Sequence, residues 1–318
     1  MSSVVVRWIG VDGLLRVEGE DSLTEALESG WCWIDLTDPD ERTLAVLAEP
    51  LTLHPLSIED ALHRQIRPKL DMFAEGSFIT WLTPHLTDSG DIETEEVDCL
   101  LLDKVLLTTH TGPAAAIEDV ARDAEALIRK GPEWVLHSIL DRLVDSMLPV
   151  VDALGEGLES VEDRMLDTPA RQDLDALYAL RRQLLVVQRI VAPERDILLA
   201  LARERDLVSE EAYRYFADVV DHLLRVGESI ETYRDIGSAV MDIYLSVQSN
   251  RLNEIMKVLT VVTVMLGAVT AISGIYGMNL LAGMWPPVDA RWSFWVVIGA
   301  MVIVAAVMSA VFRRKNWW

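Results

Sequence analysis

Polar and small residues recur at helical spacing through an otherwise apolar stretch near the C-terminus. At steps of three or four residues, one helix face reads Asp242, Ser246, Ser249, Asn253, Met256, Leu259, Thr263, Gly267, Thr270 and Gly274. Polar groups are costly in hydrocarbon, so such a face turns to a protein interior or to water. Symmetric copies of the chain could enclose a channel and turn each of these positions into a ring. The alternative is a close helix contact made by Gly267, Thr270 and Gly274.

The tetrapeptide Tyr276-Gly277-Met278-Asn279 follows this face where the mouth of a pore would lie. Mg²⁺ gives up its coordinating waters reluctantly, so a site that binds the hydrated ion needs neutral acceptors. The Asn279 amide, the Gly277 carbonyl and the Thr270 hydroxyl are such acceptors, whereas a carboxylate ring would hold the ion too tightly. We expect Gly277, Met278 and Asn279 to form the selective mouth. Met256 and Leu259 form an apolar constriction that gates by dewetting.

Charge is divided unevenly along the chain. Residues 1–256 carry 50 acidic and 23 basic residues, whereas residues 257–318 carry one acidic and five basic residues. The excess of acidic residues in 1–256 is unsuited to binding nucleic acid, which requires a basic face. It is suited to binding cations, although an acidic surface can also simply keep a protein soluble.

Two uncharged apolar runs, Val258–Ile275 and Trp292–Phe312, are each long enough to cross ~30 Å of hydrocarbon as a helix. Basic residues precede the first run and follow the second: Lys257 lies before the first run, and Arg313, Arg314 and Lys315 lie after the second. Basic flanks favour the cytoplasmic side of a membrane. The pattern therefore predicts a bilayer protein that crosses the membrane twice, with both termini in the cytoplasm.

The first ~110 residues alternate in the manner of strands, which predicts an α/β domain. Strands are expected at Ser3–Ile9, Leu14–Val17, Trp31–Leu36, Ser77–Leu82, Val97–Leu102 and Val105–Thr109, with helices at Ser22–Glu28 and Glu41–Leu47. Amphipathic helical runs follow at 133–167 and 172–206. No proline occurs between Ser209 and Tyr276, so one long helix is expected there, as a stalk that becomes the first membrane span. A coiled coil is the alternative.

The chain resembles the CorA family of divalent-metal transporters over nearly its whole length. The resemblance rests on Asn253–Thr260, Gly274–Asn279, Trp33-Ile34-Asp35, His54-Pro55-Leu56, Glu59-Asp60, Arg67-Pro68-Lys69 and Glu231–Asp235. It implies a funnel-shaped homopentamer in the cell inner membrane, whose first spans line the pore. The expected division is 1–113 as an α/β domain, 114–252 as a helical stalk, 253–279 as the pore-lining span, 280–291 as an external loop, 292–313 as the second span and 314–318 as a basic end.

The resemblance also implies regulatory metal sites between cytoplasmic domains. Glu59 and Asp60 match the family's acidic pair on the α/β domain, and Asp141 and Asp218 match the partners on the helices. Carboxylates that repel across an interface can be bridged by a hard divalent ion. Each of these residues taken alone is better explained as a solvated surface charge, whereas the matched set favours metal binding.

The expected function is therefore a channel for hydrated divalent cations, with Mg²⁺ foremost and Co²⁺ and Ni²⁺ also passing. No nucleotide is expected, because no phosphate-binding glycine loop is present. The loop after Asn279 lacks the family's usual Met-Pro-Glu-Leu segment, which leaves a ZntB-like zinc transporter as the alternative. A membrane-anchored scaffold ranks lower. A metal-dependent enzyme is disfavoured, because the histidines are scattered without ligand spacing.

Overall fold

A computed structural model of the chain describes residues 2–11, 13–19, 22–167, 170–203, 208–278, 286, 291–315 and 317. The chain divides into two compact units, one comprising residues 1–164 and 170–239 and the other residues 165–169 and 240–318. The first unit contains an α/β sheet with surrounding helices. The second unit contains the apolar part of a long helix and a further apolar helix.

A seven-stranded mixed sheet forms the centre of the first unit, with the strand order β2-β1-β3-β7-β6-β5-β4. All neighbouring strands are antiparallel except β3 and β7, which are parallel. The six predicted strands are confirmed, each with slightly different ends. The strands are β1 (Ser3–Gly10), β2 (Gly13–Glu18), β3 (Cys32–Thr37), β4 (Lys69–Met72), β5 (Gly76–Leu86), β6 (Ile92–Leu102) and β7 (Val105–His110).

Alternation along the strands gives the sheet two buried faces. One face packs against three helices, α1 (Leu23–Ser29), α2 (Glu41–Leu51) and α3 (Pro55–Leu62). Its core includes Ile34 and Leu36 of β3, which are fully buried, and Leu107 of β7. The Asp40 carboxylate begins α2 by accepting the Thr43 N–H at 2.8 Å, a typical N-cap.

The opposite face of the sheet is covered by some of the helices that follow the last strand. The helices after that strand are α4 (Ala115–Arg122), α5 (Ala124–Ile128), α6 (Pro132–Asp145), α7 (Met147–Asp167) and α8 (Arg171–Arg203). Helix α6 packs on β3, β6 and β7, and α8 packs on β4 and β5. The fully buried Glu194 of α8 accepts the Leu82 N–H of β5 at 3.1 Å, and burial raises the pKa of Glu194 well above its ordinary value.

The predicted helical run 133–167 forms two helices, because α6 ends at Asp145 and α7 begins at Met147. The Ser146 hydroxyl donates to the Leu143 carbonyl at 2.7 Å. Pro149 has no N–H, so it cannot donate to the carbonyl of Asp145 and continue the helix.

The long helix, α9, runs over 67 residues from Glu210 to Tyr276, as the sequence predicts. The Ser209 hydroxyl accepts the Ala212 N–H at 3.2 Å and caps its start. The final helix, α10, spans Arg291–Arg314. Both α9 and the stretch Trp292–Arg314 contain a segment long and apolar enough to cross a membrane.

Candidate pore face and metal-binding cluster

The predicted pore-lining residues of α9 are all exposed, as are most residues between 251 and 278. Within the described chain Met256 and Leu259 are 57% and 56% exposed, in contrast to the fully buried Leu36 of the sheet. The other members are also exposed: Asp242, Asn253, Thr263, Gly267, Thr270 and Gly274. Apolar and polar members of this predicted pore face are therefore left for water or for another chain.

One stripe on the same stretch of α9 is less exposed. It comprises Val261, Met265, Ala268, Val269 and Ile272. At 3.6 residues per turn these positions lie on the side of the helix opposite the predicted pore face. Helix α10 has one less exposed stripe of its own, which includes Val297, Met301, Val304 and Met308. These two stripes are the less exposed sides of α9 and α10, and the predicted pore face lies on the opposite side of α9.

The glycines of the pore face make no close contact within the described chain. A Cβ atom placed on Gly267 or Gly274 would meet no heavy atom within 4 Å. A small-residue contact between helices would place a neighbouring backbone or side chain there. The alternative of a close helix contact within the chain is therefore not supported.

Helix α9 ends at the predicted mouth. The Gly277 N–H donates to the Ser273 carbonyl at 2.9 Å, and the Met278 N–H donates to the Ile275 carbonyl at 3.3 Å. Gly277 and Met278 are exposed at this end. Asn279 lies outside the described residues.

A group of acidic residues and one histidine joins α6 to α9 in the first unit. His222 Nδ1 lies 3.2 Å from an Asp145 oxygen and 3.9 Å from an Asp141 oxygen, and His222 Nε2 lies 3.6 Å from Asp218. Ligand atoms of Asp141, Asp145 and His222 all lie within 4.8 Å of one another, which is close enough to hold one metal ion. Burial, with repulsion from Asp145, raises the pKa of Asp141. We call Asp141, Asp145, Asp218 and His222 the α6–α9 cluster.

With this geometry in place, similarity to known proteins identifies the family. Residues 28–314 match the family described as CorA-like Mg²⁺ transporter protein. The chain belongs to this family. The cobalt/magnesium transport protein CorA of Thermotoga maritima is 31% identical over 90% of this chain and 83% of its own length. Family membership makes the chain a divalent-cation transporter of the membrane rather than an enzyme.

Two further proteins are similar to this chain, one by structure and one by sequence. The complete structure of the CorA magnesium transporter from Methanocaldococcus jannaschii superposes with a TM-score of 0.84 at 24% identity, covering 99% of this chain and 98% of that one. The zinc transport protein ZntB of Pectobacterium carotovorum is 24% identical over 94% of this chain and 91% of its own length. The first comparison shows that this CorA-family chain has the fold of a full-length transporter.

The acidic pair of this CorA-family chain lies on α3. Glu59 is exposed, whereas Asp60 is partly buried. The Lys69 ammonium lies 2.5 Å from one Asp60 oxygen and 2.9 Å from Asp71, and the Gln65 amide donates to the other Asp60 oxygen at 3.3 Å. Asp60 therefore already has a cationic partner within its own chain. Asp141 and Asp218, the other two predicted ligands, both belong to the α6–α9 cluster.

Sequence reasoning missed Asp145 and His222. A signal was present, because Asp141 and Asp145 are four residues apart, as are Asp218 and His222. Such pairs lie on one helix face. The spacing does not reveal that the two faces meet, since the helices are separated by more than 60 residues.

Proposed function

We propose that this CorA-family chain assembles as a homopentameric inner-membrane channel that passes hydrated divalent cations, with Mg²⁺ foremost and Co²⁺ and Ni²⁺ also carried. The observation that carries the proposal is the exposed face of α9 that contains Thr263 and Thr270, which lies opposite the less exposed stripe of the same helix. A polar stripe facing lipid is costly. Five copies would enclose it around a water-filled path, with both termini in the cytoplasm and the domain boundaries as the sequence predicts.

The mouth of this channel recognises the hydration shell and not the bare ion. The Asn279 amide and the Gly277 carbonyl supply neutral acceptors, and the Thr270 hydroxyl follows along the pore face. Such groups hydrogen-bond to the waters of Mg²⁺ without competing for the ion itself. Release is then fast enough for conduction.

The gate is the apolar ring formed by Met256 and Leu259. Both side chains are more than half exposed in the single chain, so they are free to meet their copies around an axis. A narrow apolar ring expels water and blocks a hydrated ion. Asn253 lies one turn before this ring and provides the polar entrance from the cytoplasmic side.

Regulation by internal divalent cations involves the α6–α9 cluster. Three carboxylates surround His222, and the raised pKa of Asp141 reflects a site that disfavours further negative charge. A bound divalent cation would relieve the repulsion between these carboxylates. Glu59 and Asp60 of a neighbouring copy are proposed to complete the site with Asp218, after Asp60 exchanges Lys69 for the ion.

A zinc transporter is the second candidate. The observation that favours it is His222, because an imidazole nitrogen suits Zn²⁺ better than Mg²⁺. The similarity to ZntB agrees with this candidate, and the loop after Asn279 lacks the usual acidic segment. The pore face holds oxygen donors and no histidine, which supports Mg²⁺ as the first candidate.

The test is cation uptake by the purified chain in liposomes, with Mg²⁺, Co²⁺, Ni²⁺ and Zn²⁺ compared at equal concentration. We expect Mg²⁺ uptake that falls to the level of empty liposomes in Asn279→Ala, because the mouth loses its acceptor ring. Ser309→Ala in α10 is the control and should transport normally. Native mass spectrometry checks that each variant remains pentameric. Normal uptake by a correctly assembled Asn279→Ala variant would refute the pore, and uptake of Zn²⁺ alone would favour the second candidate.

A further inference from the structure

A buried arginine without an ion-pair partner lies in the first unit, away from the α6–α9 cluster. Arg7 of β1 is 6% exposed, and its Nη1 atom has no hydrogen-bond partner in the described part of the chain. The guanidinium lies 4.5 Å from the centroid of the Trp33 ring. Burial lowers the pKa of Arg7, although an arginine stays protonated in proteins. A buried charge of this kind ordinarily has a partner.

Arg7 lines a cleft of about 750 Å³, a volume typical of small-molecule sites. Two further arginines line the same cleft. Arg16 of β2 is the direct cross-strand neighbour of Arg7, and Arg122 comes from the end of α4. Like charges placed directly opposite each other on two strands are destabilising. An anion between them would remove this cost.

Helix α4 begins at the same cleft. Its N-cap residue, Ala114, lines the cleft and has no side chain that could cap the helix. The first N–H groups of a helix need acceptors, and the positive end of the helix dipole attracts anions. The uncapped start of α4 and the unpaired Arg7 are independent observations that indicate the same kind of ligand.

The carboxylates around the cleft are engaged elsewhere or lie in solvent. Asp35 accepts the Thr108 hydroxyl at 2.6 Å and lies 3.4 Å from His110 Nε2. Asp38 accepts the Gly112 N–H at 3.0 Å. Glu18 lies 3.6 Å from Arg16, with both side chains well exposed, and Glu118 is exposed. The charge of Asp35 favours the protonated form of Arg7 and raises its pKa, which opposes the larger effect of burial. No carboxylate of the described residues lies within ion-pair distance of Arg7, so its Nη1 atom is left without a hydrogen-bond partner.

We propose that this cleft binds a small phosphate-bearing anion, held by Arg7, Arg16, Arg122 and the start of α4. Phosphate oxygens match the planar guanidinium fork and the backbone N–H groups of a helix start. The site lies in the α/β part of the chain and is independent of the proposed transport function. Its occupant is a soluble molecule, either inorganic phosphate or a phosphate monoester.

The experiment is isothermal titration calorimetry on the full-length chain in detergent, with divalent ions removed by chelation. Potassium phosphate and ribose 5-phosphate are titrated separately, against potassium chloride at equal ionic strength. We expect saturable binding of at least one phosphate compound and none of chloride. Tighter binding of ribose 5-phosphate would assign a monoester, and tighter binding of inorganic phosphate would assign the free ion.

Two variants test the assigned residues. Arg7→Gln should weaken binding about tenfold or more, because it removes a buried charged donor. Arg122→Gln should weaken binding about threefold. Because Arg122 is exposed, Arg122→Gln should fold normally. This variant therefore tests the proposal if Arg7→Gln does not fold.

The matched control is Arg195→Gln in α8. Arg195 is an exposed arginine 3.1 Å from the neighbouring Asp196, as Arg122 is 2.8 Å from Asp119, but it does not line the cleft. Its substitution should leave binding unchanged. Absence of saturable binding of both phosphate compounds would overturn the proposal. So would equal weakening by Arg122→Gln and Arg195→Gln.

Discussion

Buried polar residues of the sheet and polar residues of the pore face differ in where their partners lie. In the sheet, Asp98 accepts hydrogen bonds from the Thr80 hydroxyl at 2.7 Å and the Thr109 hydroxyl at 3.3 Å. On the pore face, Thr263 and Thr270 are exposed and make no side-chain hydrogen bond within the described chain. Asp98 therefore has its partners within its own chain, whereas the two threonines of the pore face require water or other copies.

The two regions therefore differ in the expected effect of a substitution. Substitutions in the sheet should act through folding, because buried groups there are held by their own chain. Substitutions on the pore face should act through transport, because a single chain gains little stability from an exposed stripe. The α6–α9 cluster is intermediate between these cases. Its members contact one another within one chain, and a bound ion would strengthen these contacts.

The largest expected contrast pairs two leucines. Leu36→Ala in the sheet core should lower the free energy of unfolding by about 2–5 kcal/mol, because it leaves a cavity. Leu259→Ala on the pore face should change it by about 0.5 kcal/mol or less. Urea unfolding followed by tryptophan fluorescence in detergent measures both. Similar losses in the two variants would contradict the distinction between the regions.

Asp98 tests the sheet through pH. Burial raises its pKa to about 7, from an ordinary value of 3.8. Between these two pH values the folded chain keeps a proton that the unfolded chain has lost, so stability falls as pH rises from about 4 to 7, by an amount on the order of 4 kcal/mol.

Asp98→Asn should flatten this pH dependence, because the amide does not titrate. Unfolding free energies measured at pH 5 and pH 7.5 provide the comparison, with Asp88→Asn as the control at an exposed position. An unchanged pH dependence in Asp98→Asn would show that Asp98 does not hold a proton in the folded chain.

The α6–α9 cluster should respond to metal. His222→Gln and Asp145→Asn are each expected to weaken divalent-cation binding about tenfold, measured as the metal concentration that protects the chain from limited proteolysis. His85→Gln is the matched control, since His85 also lies near a carboxylate, 3.9 Å from Glu93. Asp218→Lys should mimic the ion and give protection without metal. Full metal protection in the absence of all four carboxylates, Glu59, Asp60, Asp141 and Asp218, would place the regulatory ion elsewhere.

The smallest expected effect concerns the gate. Leu259→Asn should raise flux severalfold or reduce its inhibition by internal Mg²⁺, because a polar ring keeps the constriction wet. Leu259→Met keeps the ring apolar and should behave as the original chain does. Stopped-flow uptake into liposomes measures both variants. Identical flux and inhibition in Leu259→Asn would move the gate to another ring, such as that of Asn253.

Local patterns predicted much of the fold. The proline-free stretch after Ser209 predicted α9, and alternation predicted six strands. The sequence did not indicate β4, because Lys69–Met72 is short and two of its four residues are charged. Charged residues are common on edge strands, where they discourage pairing with other chains. The antiparallel pairing with β5 holds this segment in the sheet, although its own residues do not indicate a strand.

The sequence by itself determined which residues share the predicted pore face, since the spacing of residues along one helix decides which of them lie on the same side. The same reasoning predicted Gly277 and Met278 at the end of that helix. Tertiary structure alone decided which helix faces meet, as it did in bringing Asp145 of α6 to His222 of α9. It also decided that Arg7 would be buried beside a cleft. The reason is that spacing along a helix is set by backbone geometry, whereas contacts between distant segments depend on how the whole chain packs.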